Sequence, residues 1–74
     1  MTYEVWDATS GNLLAHFERY GEALDFLREQ VRGLGTSWLA GVALFEGGAG
    51  SARTLVAEDA TLLPLLRIPD RSPA

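Results

Sequence analysis

Apolar residues recur at Tyr20, Ala23, Leu24, Leu27, Val31 and Leu34, the three-to-four spacing of one helical face. Glu22, Asp25, Arg28, Glu29 and Arg32 fall on the opposite side, so the pattern predicts an amphipathic helix over Tyr20–Gly33 with one buried stripe and one wet face. Neither Glu18 nor Arg19 is a good capping residue at its start, whereas Gly33 suits the left-handed position that closes a helix, with Leu34 folding back onto it.

Before the helix, Tyr3–Asp7 and Leu13–Phe17 are rich in aromatic, β-branched and aliphatic residues and flank the turn cluster Ala8–Asn12, which predicts a hairpin. A five-residue loop pairs positions 3 with 17 and 5 with 15, placing Tyr3, Val5, Ala15 and Phe17 on one face, with Leu13 at its end. The same register sets Trp6 against Leu14 and Glu4 against His16 on the other face.

After the helix, Gly35–Ser37 connects to the apolar run Trp38–Glu46, predicted as a third strand with a helix as the competing reading. Gly41 within the run and the Gly-rich stretch Gly47–Ser51 favour a strand and hairpin turn, followed by a fourth strand over Ala52–Glu58. A short second helix is expected between Asp59 and Arg67; Pro64 fits its first turn when Thr61 is the cap, but not when Asp59 is. The expected fold class is α+β: an antiparallel four-stranded sheet in the order ββαββα, one long helix packed on one face and a short C-terminal helix. Residues 1–68 form a single domain in this reading, and 69–74 a flexible tail.

Composition sharpens the energetic problem. A chain of 74 residues without Cys has a small core and no disulfides to supplement it, yet 47% of its residues are hydrophobic. One helix stripe and one sheet face are not expected to absorb that much apolar surface, so self-association as a homodimer is expected. Trp6, Leu14, Phe26, Trp38, Leu62 and Leu66 are the candidate interface residues, with the C-terminal leucines covering the second sheet face from the same chain or from a symmetry mate. The N-terminus has neither a basic start nor an apolar core, and no run is long enough to span a bilayer; the expectation is a cytoplasmic chain with no membrane partner.

Charge argues against nucleic acid as a partner. The formal net charge is −4 and every basic residue is Arg; Arg28 and Arg32 sit among Asp25 and Glu29 at intrahelical pairing distances. No catalytic, cofactor-binding or metal motif stands out, and the chain is read as non-enzymatic. His16 is the single histidine, and no local Ser or Cys accompanies it, so a surface pair with Glu4 is expected. Gly47–Ser51 lacks the Lys of a phosphate-binding loop and sits between strands, which makes it a hairpin turn. Asp7, Glu58 and Asp59 have no fixed pairing and are read as solvated or capping groups.

Tyr3-Glu-Val-Trp-Asp7, Ser10-Gly-Asn12, Glu22-Ala-Leu24 and Leu55-Val-Ala-Glu58 together carry a resemblance. The chain resembles a family of short, uncharacterised bacterial proteins sharing a Tyr-x-x-Trp-Asp, Gly-Asn, Glu-Ala-Leu pattern, over most of residues 3 to 67. The motifs are structural, and the resemblance brings no activity or site residues with it. More distantly, a hairpin followed by Glu-Ala-Leu at a helix start is similar to HicB-type antitoxins, which usually have a further strand and often a DNA-binding segment that this chain lacks. The expected function is accordingly a small protein-interaction or self-association module; the alternative is an antitoxin-like regulator binding a toxin or nucleic acid.

Overall fold

The computed structural model describes residues 2–47 and 53–67. Strands β1 (Thr2–Asp7), β2 (Asn12–Phe17), β3 (Val42–Gly47) and β4 (Thr54–Glu58) form one antiparallel sheet in the order β2-β1-β3-β4. Helix α1 (Tyr20–Leu34) follows the first hairpin, and the short helix α2 (Leu62–Leu66) follows the second. The architecture is therefore the expected antiparallel α+β fold in the order ββαββα.

The α1 stripe packs as its spacing requires. Ala23, Leu24, Leu27 and Val31 are buried against Val5, Val42 and Leu44 of the two central strands. Leu27 has no exposed surface, and burying such a side chain stabilises the fold by about 1.5–3 kcal/mol in transfer terms alone. Arg19 provides no side-chain cap at the start. The far end differs from expectation: Gly33 remains helical, and the closing residue is Gly35, at φ 88°, whose N–H reaches the Val31 carbonyl at 2.7 Å. Leu34 consequently points into solvent, 60% exposed, instead of folding back.

The run from Trp38 is not all strand. Thr36–Leu39 forms a 3-10 turn, and β3 begins only at Val42. Gly41 is the reason. It adopts φ 82°, a left-handed conformation that breaks an extended run and that side-chain-bearing residues rarely accept. Its carbonyl accepts the Ala8 N–H at 2.7 Å and its own N–H donates to Asp59 Oδ1 at 2.6 Å, so one glycine ties together three connections at one end of the sheet. A Cβ added there would lie 2.5 Å from Thr9 Oγ1.

Both outer strands are irregular. In the first hairpin the pairing follows expectation from Tyr3↔Phe17 to Val5↔Ala15, then shifts, so that Trp6 faces Leu13 and Asp7 faces Asn12. The expected Trp6–Leu14 pair is therefore replaced by Trp6–Leu13, with Leu14 the extra residue of a bulge. In the second hairpin Leu44 pairs with Ala57 but Phe45 with Leu55, which makes Val56 the extra residue. The predicted turn at 47–51 falls largely outside the described residues, as does the predicted tail 69–74.

At the C-terminal end, Pro64 occupies the first turn of α2, directly after Thr61, as its chemistry requires. Leu62, Leu63 and Leu66 are buried in the core shared with α1. Arg28 secures this lid from the side: its Nε donates to the Leu66 carbonyl at 3.1 Å, while Nη1 pairs with Asp25 at 2.7 Å. Among the described residues no helix is long and apolar enough to cross a membrane.

Candidate interaction surface

Strand alternation divides the sheet into two unlike faces. Tyr3, Val5, Val42 and Leu44 look toward the helices, which leaves Glu4, Trp6, Ala43 and Phe45 on the other side, with their cross-strand partners His16, Leu13, Glu58 and Leu55. Both helices pack on the first face. The second has no layer over it among the described residues.

The register draws a diagonal on this open face. Leu13 and Trp6 form one row on β2 and β1; Phe45 and Leu55 form the next row on β3 and β4. Ala43 and Glu4 lie beside the junction, and the two ends are the most open, with Leu13 46% and Leu55 44% exposed. An apolar strip therefore crosses all four strands.

Its polar neighbours are mutually satisfied. Glu4 Oε1 accepts from Trp6 Nε1 at 3.2 Å and from Arg53 Nη1 at 3.1 Å, and the Arg53 guanidinium carbon lies 5.1 Å from the Trp6 ring centroid. Trp6 thus has its N–H partnered and one cation against its ring, which fixes a large, half-buried amphipathic side chain on the open face. Glu4 spends this oxygen on Arg53 and Trp6, although its register partner is the expected His16.

The six expected interface residues separate into four groups. Trp6 stands on the open face. Leu62 and Leu66, only 0% and 2% exposed, belong to the core beneath α1, so α2 is an intrachain lid on the helix side and does not cover the strip. This corrects their placement at an interface: the α2 leucines pack into the core with Leu24, Leu27 and Val31 of α1, and the Arg28 bond to the Leu66 carbonyl holds α2 there, away from the open face. Phe26 and Trp38 are half-buried in an aromatic group with Phe17, at centroid distances of 5.4 Å for Phe17–Phe26 and 6.3 Å for Phe26–Trp38. Leu14 lines a shallow depression with Trp38, Val42 and Asp7.

The titratable groups are employed structurally. Ser10 and the backbone around it hold the Asp7 carboxylate below its ordinary range, against an opposing effect of partial burial; Ser10 Oγ donates at 2.9 Å and the Thr9 N–H at 3.0 Å. Tyr3 donates to Glu46 Oε2 at 2.8 Å, and that bond, with some burial and the Glu46 charge, raises its phenol above the usual value. A groove between α1 and α2 gathers Arg28, Arg32 and Arg67 over Val31 and Leu66, but Asp25 and Glu29 pair with the first two. Among the described residues there is no group of three side chains placed to hold a metal ion.

Sequence reasoning missed Leu13, Phe45 and Leu55 as members of the strip, and Arg53 as its polar flank. Alternation could have supplied Phe45. The two bulges concealed the others. No family model, curated protein or solved structure matches the chain.

Proposed function

We propose that the protein is a small non-enzymatic interaction module that works through the open face of its sheet. One observation carries this reading: among the described residues no layer covers a contiguous strip of Leu13, Trp6, Phe45 and Leu55, whereas the other face of the same sheet is packed beneath two helices. Contiguous apolar patches of this kind mark binding surfaces, and a Trp held by fixed polar contacts at the patch centre is the residue type that dominates binding energy. The competing regulator reading would use the arginine groove to hold nucleic acid; the pairing of Arg28 and Arg32 with carboxylates, on a chain of net charge −4, removes the unbalanced positive potential that phosphate binding needs.

The test is capture from the source cell with wild-type and Trp6→Ser baits of equal helical circular dichroism. A second copy of the chain or a foreign protein recovered with the wild type and lost with the variant supports the reading. Equal recovery, or recovery of nothing, overturns it.

A further inference from the structure

We infer that the occupant of the open face is a second copy of this chain, packed sheet face to sheet face about a two-fold axis that runs along the apolar strip; the inference rests on the interaction-module reading. Three features lead to it. First, the strip is self-complementary. Its two halves, Leu13–Trp6 and Phe45–Leu55, each join one aromatic to one leucine, so a copy of the strip laid on itself meets apolar surface along its whole length. Second, the face is locally neutral at its centre although the chain is acidic, because Arg53 cancels Glu4. A strongly charged partner finds no complement there, whereas an identical face does. Third, both edge strands carry a bulge, at Leu14 in β2 and at Val56 in β4. Bulged edges resist the strand-to-strand addition that would extend the sheet, which leaves the face as the route of association.

The Glu4 carboxylate, although offset by Arg53, then favours one axis over the other. With the two-fold perpendicular to the strip, Leu13 would meet the partner's Leu55, but Glu4, beside the strip's midpoint, would meet the partner's Glu4. With the axis along the strip, Glu4 lies over the partner's Ala43, and Leu13, Trp6, Phe45 and Leu55 each lie near their own symmetry copies. The second arrangement avoids the like-charge contact.

Size sets the strength. Strands of five or six residues at about 3.3 Å per residue, four abreast at about 4.8 Å, give a face of roughly 400 Å² in projection. Standing side chains raise the accessible area, yet the interface stays at the low end of the roughly 800 Å² per partner of standard complexes, where transient association is found. The dimer is expected to dissociate in the micromolar range.

Light scattering across a dilution series, on the whole chain, measures this directly. The expected result is a dimer at high micromolar concentration and a monomer at low, with Leu13→Glu weakening association at least tenfold while leaving helical circular dichroism unchanged; Leu55→Glu is the second variant should the first fail to fold. The chain has no native Cys, so single-cysteine variants report the axis. A short bis-maleimide should link Leu13→Cys to itself, and should not link Glu22→Cys, which lies on the exposed side of α1. Efficient linking only in a mixture of Leu13→Cys with Leu55→Cys overturns the axis. A dimer indifferent to both Glu variants overturns the surface, and a monomer at every concentration overturns the second copy. If capture from the cell meanwhile yields a foreign protein that Trp6→Ser loses, the interaction module stands and only the occupant is wrong.

Discussion

The two faces of the sheet use the same residue types to opposite ends. On the helix side, Val5 and Leu44 lie under α1 with no exposed surface, and Leu62 and Leu66 close the same layer. On the open side, Leu13 and Leu55 keep nearly half of their surface in water and Trp6 is held by Glu4 and Arg53. Apolar content alone therefore does not tell the covered face from the open one. What separates them is whether a helix stripe has been built to match, and α1 has only one.

The largest effect should come from breaking the covered face. Leu27→Ala is expected to cost about 2–5 kcal/mol, comparable to the entire stability of so small a domain, because the cavity left under α1 has little room to collapse. Trp6→Ser, on the other face, should change stability far less, so chemical denaturation of the pair measures the asymmetry. Equal losses would mean that Trp6 is core and the open face misassigned.

Gly41→Ala comes next, at about 1–2 kcal/mol for the left-handed backbone, which penalises any Cβ, with the collision against Thr9 adding to it. The contact with Thr9 Oγ1 is separable: a Thr9→Gly background should recover part of the loss by removing the collision and leave the backbone cost. Urea midpoints of the single and double variants resolve the two contributions.

A smaller contrast lies on α1 itself. Arg28→Ala should cost about 1 kcal/mol through the lost bond to the Leu66 carbonyl, while Arg32→Ala, which removes only an exposed ion pair with Glu29, should cost a few tenths at most. Amide exchange in α2 should accelerate in the first variant and stay unchanged in the second.

The smallest effects are in pH. Asp7 has a depressed folded-state value, so its contribution is complete above the unfolded value of about 3.9 and is lost as pH falls through the lower folded value. Tyr3 has a raised one, so its contribution is complete below about 10 and is lost as pH rises through the higher folded value. Thermal melts should show Asp7→Asn flattening only the acid limb and Tyr3→Phe only the alkaline limb.

The covered face was the legible one. The α1 stripe is a local signal, and its period identifies Leu24, Leu27 and Val31 without reference to anything distant. The first hairpin was legible as far as Val5↔Ala15, and misread past the bulge because nothing in Leu13-Leu14 states which leucine is the extra residue. Gly33 and Gly35 were equally qualified to end α1, and Trp38 reads as strand because only Gly41 interrupts its apolar run. Leu62 and Leu66 are placed by packing against α1 residues roughly 30 to 40 positions earlier, with Arg28 bonded to the Leu66 carbonyl 38 residues away, and the flank of Trp6 depends on an Arg53–Glu4 contact across 49 residues. Contacts at such separations leave no periodic trace.

The central pairing of β1 with β3 joins Thr2 to Gly47, with the first hairpin and α1 lying between them in the chain. During synthesis, β1 therefore emerges and finds β2 while its other edge has no partner until β3 follows. Over that interval the nascent chain presents an unpaired strand edge and an amphipathic helix whose stripe lacks Val42 and Leu44, the state in which aggregation competes with folding. The long loop that must close to pair the middle of the sheet also slows folding relative to a helical domain of the same length. A ribosome-arrested chain ending after Leu34 should therefore be open to protease, and one that includes β3 and β4 should be resistant.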